Sequence, residues 1–339
     1  MKQIFLIIIL AICASKNVLS QCACCAGAGI GTSNGDYNSG ILTLPKKQWV
    51  VEGYGDYRTI KNGAGLPSHS ISPNHQLHNG VDHVSDNPSG TDSHSDSTHK
   101  DEASLKSMVI TSLGIRYGIT EKITISALLP YIFLQTPNGN DRGLGDLILL
   151  GAFNIFSRNN FNVALQGGVE LPTGIQKGSN FDKTTVVVGS GSFDPMAGVM
   201  MAKRWNKFSL QAGGLYKYTT PGFHKNYYGS VATQNLSLSY QLIGNNIFTI
   251  ADTLKGNYKA SVGWNVFGGY YGEWLDKLTE YEKVDHNSGY YLGFANFGTN
   301  FNFNTWSIPL TLALPFIQKM NGDQNAGGYR VRLGIIKTF

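Results

Sequence analysis

Cysteine is scarce in this chain and confined to its start: Cys13, Cys22, Cys24 and Cys25 are the whole complement. That excludes a disulfide framework for everything that follows. Charge is thin as well. Asp, Glu, Lys and Arg make up 14% of residues, against about 25% in an ordinary soluble domain. The net charge of +5 is spread without a basic stripe or cluster, which argues against nucleic acid as a partner. Long apolar runs are also missing. Beyond the N-terminus no segment approaches the roughly 20 residues that a membrane-crossing helix needs.

What the chain has instead is glycine, tyrosine and phenylalanine, at 41, 17 and 17 residues, arranged in short alternating segments. Low charge with abundant Gly, Tyr, Phe and Asn is the composition of a lipid-facing sheet joined by polar loops. At the start, Met1 and Lys2 precede the apolar run Ile4–Cys13 and the small-residue exit Val18-Leu19-Ser20. This pattern is expected to be a signal peptide over 1–20, cleaved after Ser20, and it implies export. Lipid attachment at Cys22 is the alternative, although Gln21 fits such a processing site poorly.

Period-2 alternation recurs over about 9–12 residues, the length with which a tilted strand crosses a bilayer. In Phe161–Leu171, the residues Phe161, Val163, Leu165, Val169 and Leu171 share one face, and Asn162, Gln166 and Glu170 share the other. Phe208–Tyr218, Gln234–Ile243, Tyr258–Tyr270 and Gly328–Phe339 repeat the pattern. Further segments are Val109–Gly118, Ile123–Phe133, Gly143–Phe156, Asp194–Lys203, Tyr290–Thr299 and Thr305–Leu314, with Gln48–Ile60 the weakest because Gly53 and Gly55 interrupt it. That makes about twelve, an even number, as single-chain bacterial barrels require.

The connections sort by parity. Long ones fall at 61–107, 134–142, 172–193, 219–233, 271–289 and 315–327; short ones fall at 119–122, 157–160, 204–207 and 300–304, with 244–257 intermediate. Outer-membrane barrels have this asymmetry, with short periplasmic turns and longer outer loops, whereas a soluble sandwich has no reason to show it. The expected fold is therefore all-β: a transmembrane antiparallel up-and-down β-barrel of about 12 strands, over 44–339, in the outer membrane of a Gram-negative cell. A flexible Cys/Gly-rich segment, 21–43, precedes it. Its lipid-exposed wall makes outer-membrane lipid a partner, and the C-terminal strand ending in Phe339 is expected to address the barrel-assembly machinery.

Charged residues on the non-lipid face cannot sit in hydrocarbon unpaired. Arg116, Asp146, Glu170, Lys217, Lys259, Arg330 and Arg332 are therefore expected to line the lumen. Twelve strands imply a narrow pore, between the filled interior of eight strands and the open channel of sixteen. Five basic residues against two acidic ones point to anionic solutes, or equally to a wall whose charges merely neutralise one another.

Three stretches resemble an outer-membrane transporter family, that of the meta pathway of phenol degradation type. They are GLGDLILLGAFNIF (Gly143–Phe156), GVELPTG (Gly168–Gly174) and GSGSFDPMAGVMMAKRW (Gly189–Trp205). The resemblance covers the middle of the chain and implies a small-molecule channel. It does not extend to the Cys-rich start or the His-rich first loop. Read as residues, the motifs are architectural: Gly143 and Gly145 allow a tight turn into a strand, Asp146 points inward, and Pro172 with Gly174 ends a strand.

Two segments have the composition of metal sites. Cys22, Cys24 and Cys25 suit Cu(I) or Zn(II), or else oxidise to a disulfide. The loop 61–107 holds His69, His75, His78, His83, His94 and His99 among Asp and Glu, a set suited to Zn(II), Cu(II) or Ni(II) if not simply a solvated tract. No resident cofactor is required. The leading expectation is thus a channel for small solutes, possible metal ions included, and not an enzyme. The alternatives are a non-conducting metal-binding sensor or adhesin, and a hydrolase using His224, His286, Ser230 or Asp285, none of which sits in a nucleophile motif.

Overall fold

The computed structural model describes residues 43–60, 107–136, 139–174, 189–222, 226–244, 262–280, 282–322 and 327–339. Among them there is no helix. The strands are β1 (Trp49–Ile60), β2 (Ser107–Thr120), β3 (Ile123–Thr136), β4 (Gly139–Leu144), β5 (Leu147–Arg158), β6 (Phe161–Leu171), β7 (Asp194–Trp205) and β8 (Phe208–Lys217). They continue as β9 (Val231–Ile243), β10 (Val262–Leu275), the two-residue pair β11 (Thr279–Glu280) and β12 (Lys283–Val284), β13 (Tyr290–Phe303), β14 (Trp306–Met320) and β15 (Gly327–Thr338).

Each wall strand pairs antiparallel with its neighbour in sequence, and β1 pairs with β15, from Val50↔Thr338 to Ile60↔Gly327. β4 and β5 both pair with β3 and occupy one wall position in succession, so the 13-stranded sheet closes as a barrel of twelve positions. Closure leaves no free edge, the condition for a sheet to survive in lipid.

Alternation decides which face each side chain takes. On β14, Ile308, Leu310, Leu312, Leu314 and Phe316 are exposed; on β9, Leu236, Leu238, Tyr240 and Leu242 are. Their wall neighbours point in and are buried, as with Ser237, Ser239 and Gln241. A continuous apolar exterior of this kind is a lipid surface. Aromatic residues gather at its two rims: Trp49 against Tyr117 at 4.3 Å, and Trp205 and Tyr240 on either side of Phe208 at the short-turn end. At the other end Tyr57 meets Tyr329, and Tyr131 meets Phe133. These are the girdles expected at membrane–water interfaces.

Three of the four short turns follow from asparagine. Asn159, Asn160, Asn206 and Asn304 all adopt positive φ, between 49° and 60°, the conformation a tight hairpin needs and asparagine tolerates.

At the long-loop end the strands run further than alternation indicates. The region 134–142, expected as a loop, is the paired hairpin end of β3 and β4, from Tyr131↔Leu144 to Thr136↔Gly139. β10 continues to Leu275 and β14 reaches Met320; at the opposite, short-turn end β13 also outruns its expected limit, ending at Phe303 instead of Thr299. Beyond the lipid both strand faces tolerate polar residues, so pairing continues after the period-2 signal has faded. Residues 258–261 of the expected strand Tyr258–Tyr270, and most of 244–257, lie outside the described residues.

Residues 43–48 close on the short-turn end. Leu44 is buried against Val50, Tyr54 and Ile336; its amide donates to Thr124 Oγ1 at 2.7 Å, and the Lys47 amide donates to the Gly118 carbonyl at 2.7 Å. Gly118 makes this possible, since a Cβ there would stand 1.9 Å from the Pro45 carbonyl oxygen.

Candidate functional site

The interior face carries two charged clusters separated by apolar surface. The first lies on β6, β7 and β8. Lys217 Nζ is 2.7 Å from Glu170 Oε2 and 3.8 Å from Asp194 Oδ2, and all three side chains are buried. Asp194 also accepts from the Thr220 amide at 2.9 Å.

Asp146 stands beside this cluster, where the wall breaks between β4 and β5. Its two carboxylate oxygens accept from the backbone amides of Gly174, at 2.8 Å, and Ser190. Gly174 and Gly189 meet face to face, and a Cβ on Gly174 would stand 2.5 Å from the Gly189 Cα. The three motif stretches noted in the sequence therefore meet at one point. Asp146 from the first ties the end of the second to the start of the third and pins both ends of the 175–188 connection. This carboxylate is directed at backbone amides and not into the lumen.

The second cluster lies on β1, β10 and β15, six wall positions from β7 in either direction in the case of β15. Asp56 Oδ2 accepts from Arg58 at 2.9 and 3.3 Å. Glu273 accepts from Arg330 at 3.2 Å, from Tyr290 at 2.7 Å and from Tyr271 at 3.1 Å. The Arg330 guanidinium also sits 4.1 Å from the Phe294 ring centroid. Below these, nearer the short-turn end, Arg116 pairs with Glu52 at 3.3 Å. Arg332 is directly across the strand pair from Asp56, with its guanidinium 4.2 Å from the Tyr54 ring centroid.

Sequence reasoning missed Glu52, Asp56, Arg58, Asp194 and Glu273. Glu52, Asp56 and Arg58 fall on the weakly alternating β1, while Asp194 and Glu273 sit at strand ends where alternation gives no face. Their presence corrects the expected basic excess: Arg58, Arg116, Lys217 and Arg330 each have a carboxylate partner. Lys259 lies outside the described residues.

Beside the charged residues expected there, the inner wall also carries apolar patches. Leu128, Ile148, Met196 and Leu215 form one buried interior patch, and Val231, Tyr271, Leu275, Tyr290, Leu292, Phe294 and Ala313 form another. The sequence hides this because strands such as β3, ITISALLPYIFLQT, are apolar on both faces.

Cys22, Cys24, Cys25 and the six loop histidines, from His69 to His99, lie outside the described residues, as does His224. Among the described residues no group of three or more His, Cys, Asp or Glu could hold a metal ion. Ser230 is buried and engaged by Tyr227 at 2.8 Å and by the Thr219 amide at 3.2 Å. His286 is exposed and Asp285 accepts from the Asn287 amide at 2.9 Å. These contacts assemble no nucleophile–base pair.

The chain aligns with the crystal structure of an outer membrane channel from Pseudomonas putida F1 at a TM-score of 0.57 and 12% identity, over 88% of this chain and 98% of that one. LpxR from Salmonella typhimurium aligns over 86% of this chain and 100% of its own, at 11% identity and a TM-score of 0.38. A deletion mutant of the monoaromatic hydrocarbon channel TodX aligns over 91% and 94%, at 10% identity and a TM-score of 0.39. The first likeness, together with the closed wall, defines the class: the protein has the fold of an outer-membrane β-barrel channel. No family model matches the sequence, and no curated protein matches it.

Proposed function

We propose that the protein is an outer-membrane channel that lets small solutes of mixed polarity cross. The observation that carries this is the pairing of a sealed wall, apolar outside, with an interior that alternates ionic clusters and apolar patches. Such an interior offers a solute both hydrogen-bonding groups and greasy surface. Kinship with the meta-pathway family rests on the three motif stretches of the sequence, which meet here at Asp146. Phe339, exposed at the rim and paired through its backbone to Trp49, is the natural handle for the assembly machinery.

The test is single-channel conductance of the refolded mature chain in planar bilayers, with and without residues 66–102. Discrete openings in either form support a channel. A barrel that conducts nothing even with the loop removed sinks the reading in favour of a closed surface protein. A metal-handling role rests on the composition of 22–25 and 61–107 alone. Calorimetric titration with Zn(II) and Cu(II) tests it, and unchanged binding after all six histidines are replaced by alanine removes the loop from consideration.

A further inference from the structure

The rim at the short-turn end carries charge of one sign on its outer side. Arg158 on β5, Phe161 on β6 and Lys203 on β7 stand in one row across three neighbouring strands, Arg158 opposite Phe161 and Phe161 opposite Lys203. Residues directly opposite one another in an antiparallel pair share a face. Phe161 lies on the face of Leu165, which is exposed to the lipid side, so both cations flank an aromatic ring on the outside of the wall. Their backbones are two strand spacings apart, roughly 10 Å, a gap that two long side chains can close on one small anion. Lys203 is steered toward it: its Nζ donates to the Asn159 carbonyl at 2.9 Å, over the β5–β6 turn. Lys207, exposed in the β7–β8 turn, adds a third cation.

The neighbours fix the height of this row. Phe156 is 5.9 Å from the Phe161 ring, and Trp205 is stacked on Phe208 one turn along. Such a girdle marks the level where hydrocarbon gives way to lipid headgroups. The pattern repeats on the far side of the barrel, where Lys337 on β15 lies opposite Trp306, 4.7 Å from its ring centroid and 5.6 Å from that of Phe339. Lys46, Lys47 and Lys122 are exposed at the same end. Among the described residues, Glu121 is the one acidic side chain on these turns and their outward wall, and it accepts from the Lys46 amide at 3.4 Å. At the long-loop end the signs are interleaved instead, as with Asp276 beside Lys277 and Glu282 beside Lys283.

We propose that the row Arg158–Phe161–Lys203 is a docking site for an anionic phospholipid of the periplasmic leaflet, of the phosphatidylglycerol type. The phosphodiester sits over Phe161 between the two cations, and the acyl chains run down the apolar wall of Val163, Leu165 and Met201. A guanidinium fork matches phosphate oxygens in paired hydrogen bonds, and an ammonium adds a point charge. Basic side chains at the surface of an anionic leaflet are attracted to it, an attraction confined to roughly a Debye length. This inference goes beyond the channel reading and needs only the barrel and its orientation, not conduction.

The test is native mass spectrometry of the refolded full-length mature barrel in neutral detergent, titrated with phosphatidylglycerol or with phosphatidylcholine of the same chains. The wild type should hold phosphatidylglycerol about tenfold more tightly. Arg158→Gln and Lys203→Gln should each weaken it about fivefold, one surface cation's share, with phosphatidylcholine unaffected. Arg158→Lys, which keeps the charge but not the fork, should lose less. Lys319→Gln, at the opposite rim, should change nothing. Heat-modifiable mobility checks folding, and if the double variant fails to fold the single ones decide the matter. Equal affinity of the wild type for the two lipids overturns the proposal and leaves the rim to an acidic soluble partner. A preference that survives in both single variants, or that falls as much in Lys319→Gln, overturns it too. A barrel that holds phosphatidylglycerol through this row yet never conducts would refute the channel and leave this site standing.

Discussion

Asp146 shows how much one residue can hold together. With both oxygens committed to the Gly174 and Ser190 amides, its removal strands two buried donors. Asp146→Ala should destabilise the barrel by about 1–3 kcal/mol, and Asp146→Asn, with one acceptor oxygen left, should do less harm. The temperature at which heat-modifiable mobility is lost measures both, and an unchanged temperature in the alanine variant would disprove the latch. Tyr227, between β8 and β9, makes a pH prediction. Burial pushes its phenol above the ordinary value of 10.0, against the opposing hydrogen bond to Ser230. A raised folded value means that its contribution is fully present below pH 10.0 and is lost as pH rises through that value. Alkaline titration of thermal stability should therefore show a loss above that pH that Tyr227→Phe lacks.

At the scale of elements, the short-turn end is the more exactly determined. Asn159 and Asn160 hold the β5–β6 turn with both central residues at positive φ. Asn160→Val should cost about 1–2 kcal/mol through the strained left-handed backbone, while Asn160→Gly should be nearly neutral; urea titration of the refolded barrel separates them. The 43–48 segment depends on the missing side chain at 118. Gly118→Val should expel it from the short-turn end, exposing 43–48 to protease without reducing membrane insertion. Proteolytic protection of 43–48 that persists in this variant would contradict the docking. Strand positions were legible from period-2 alternation almost throughout, from Phe161–Leu171, which matches β6 end to end, to β14, whose outer six residues of fifteen were missed. The misses cluster where strands leave the bilayer, because only lipid imposes a strict apolar face.

For the molecule as a whole, stability depends on closure. β15 supplies the seam that joins β1 to β14. Deleting 327–339 should expose two strand edges and convert membrane insertion into aggregation, measurable as protein recovered with liposomes after flotation. Recovery equal to the full chain would argue that the seam is dispensable.

The order of hydrophobic and polar residues along the chain, by itself, determined the class of fold, the near-twelve strand count and the sorting of turns from loops. Those properties are local, set by a two-residue period and by asparagine at the hairpins. Which charges pair was decided only by the tertiary structure. Partners such as Glu273 and Arg330, or Glu170 and Lys217, come from strands apart in sequence, and only the register of a closed barrel brings them to the same height.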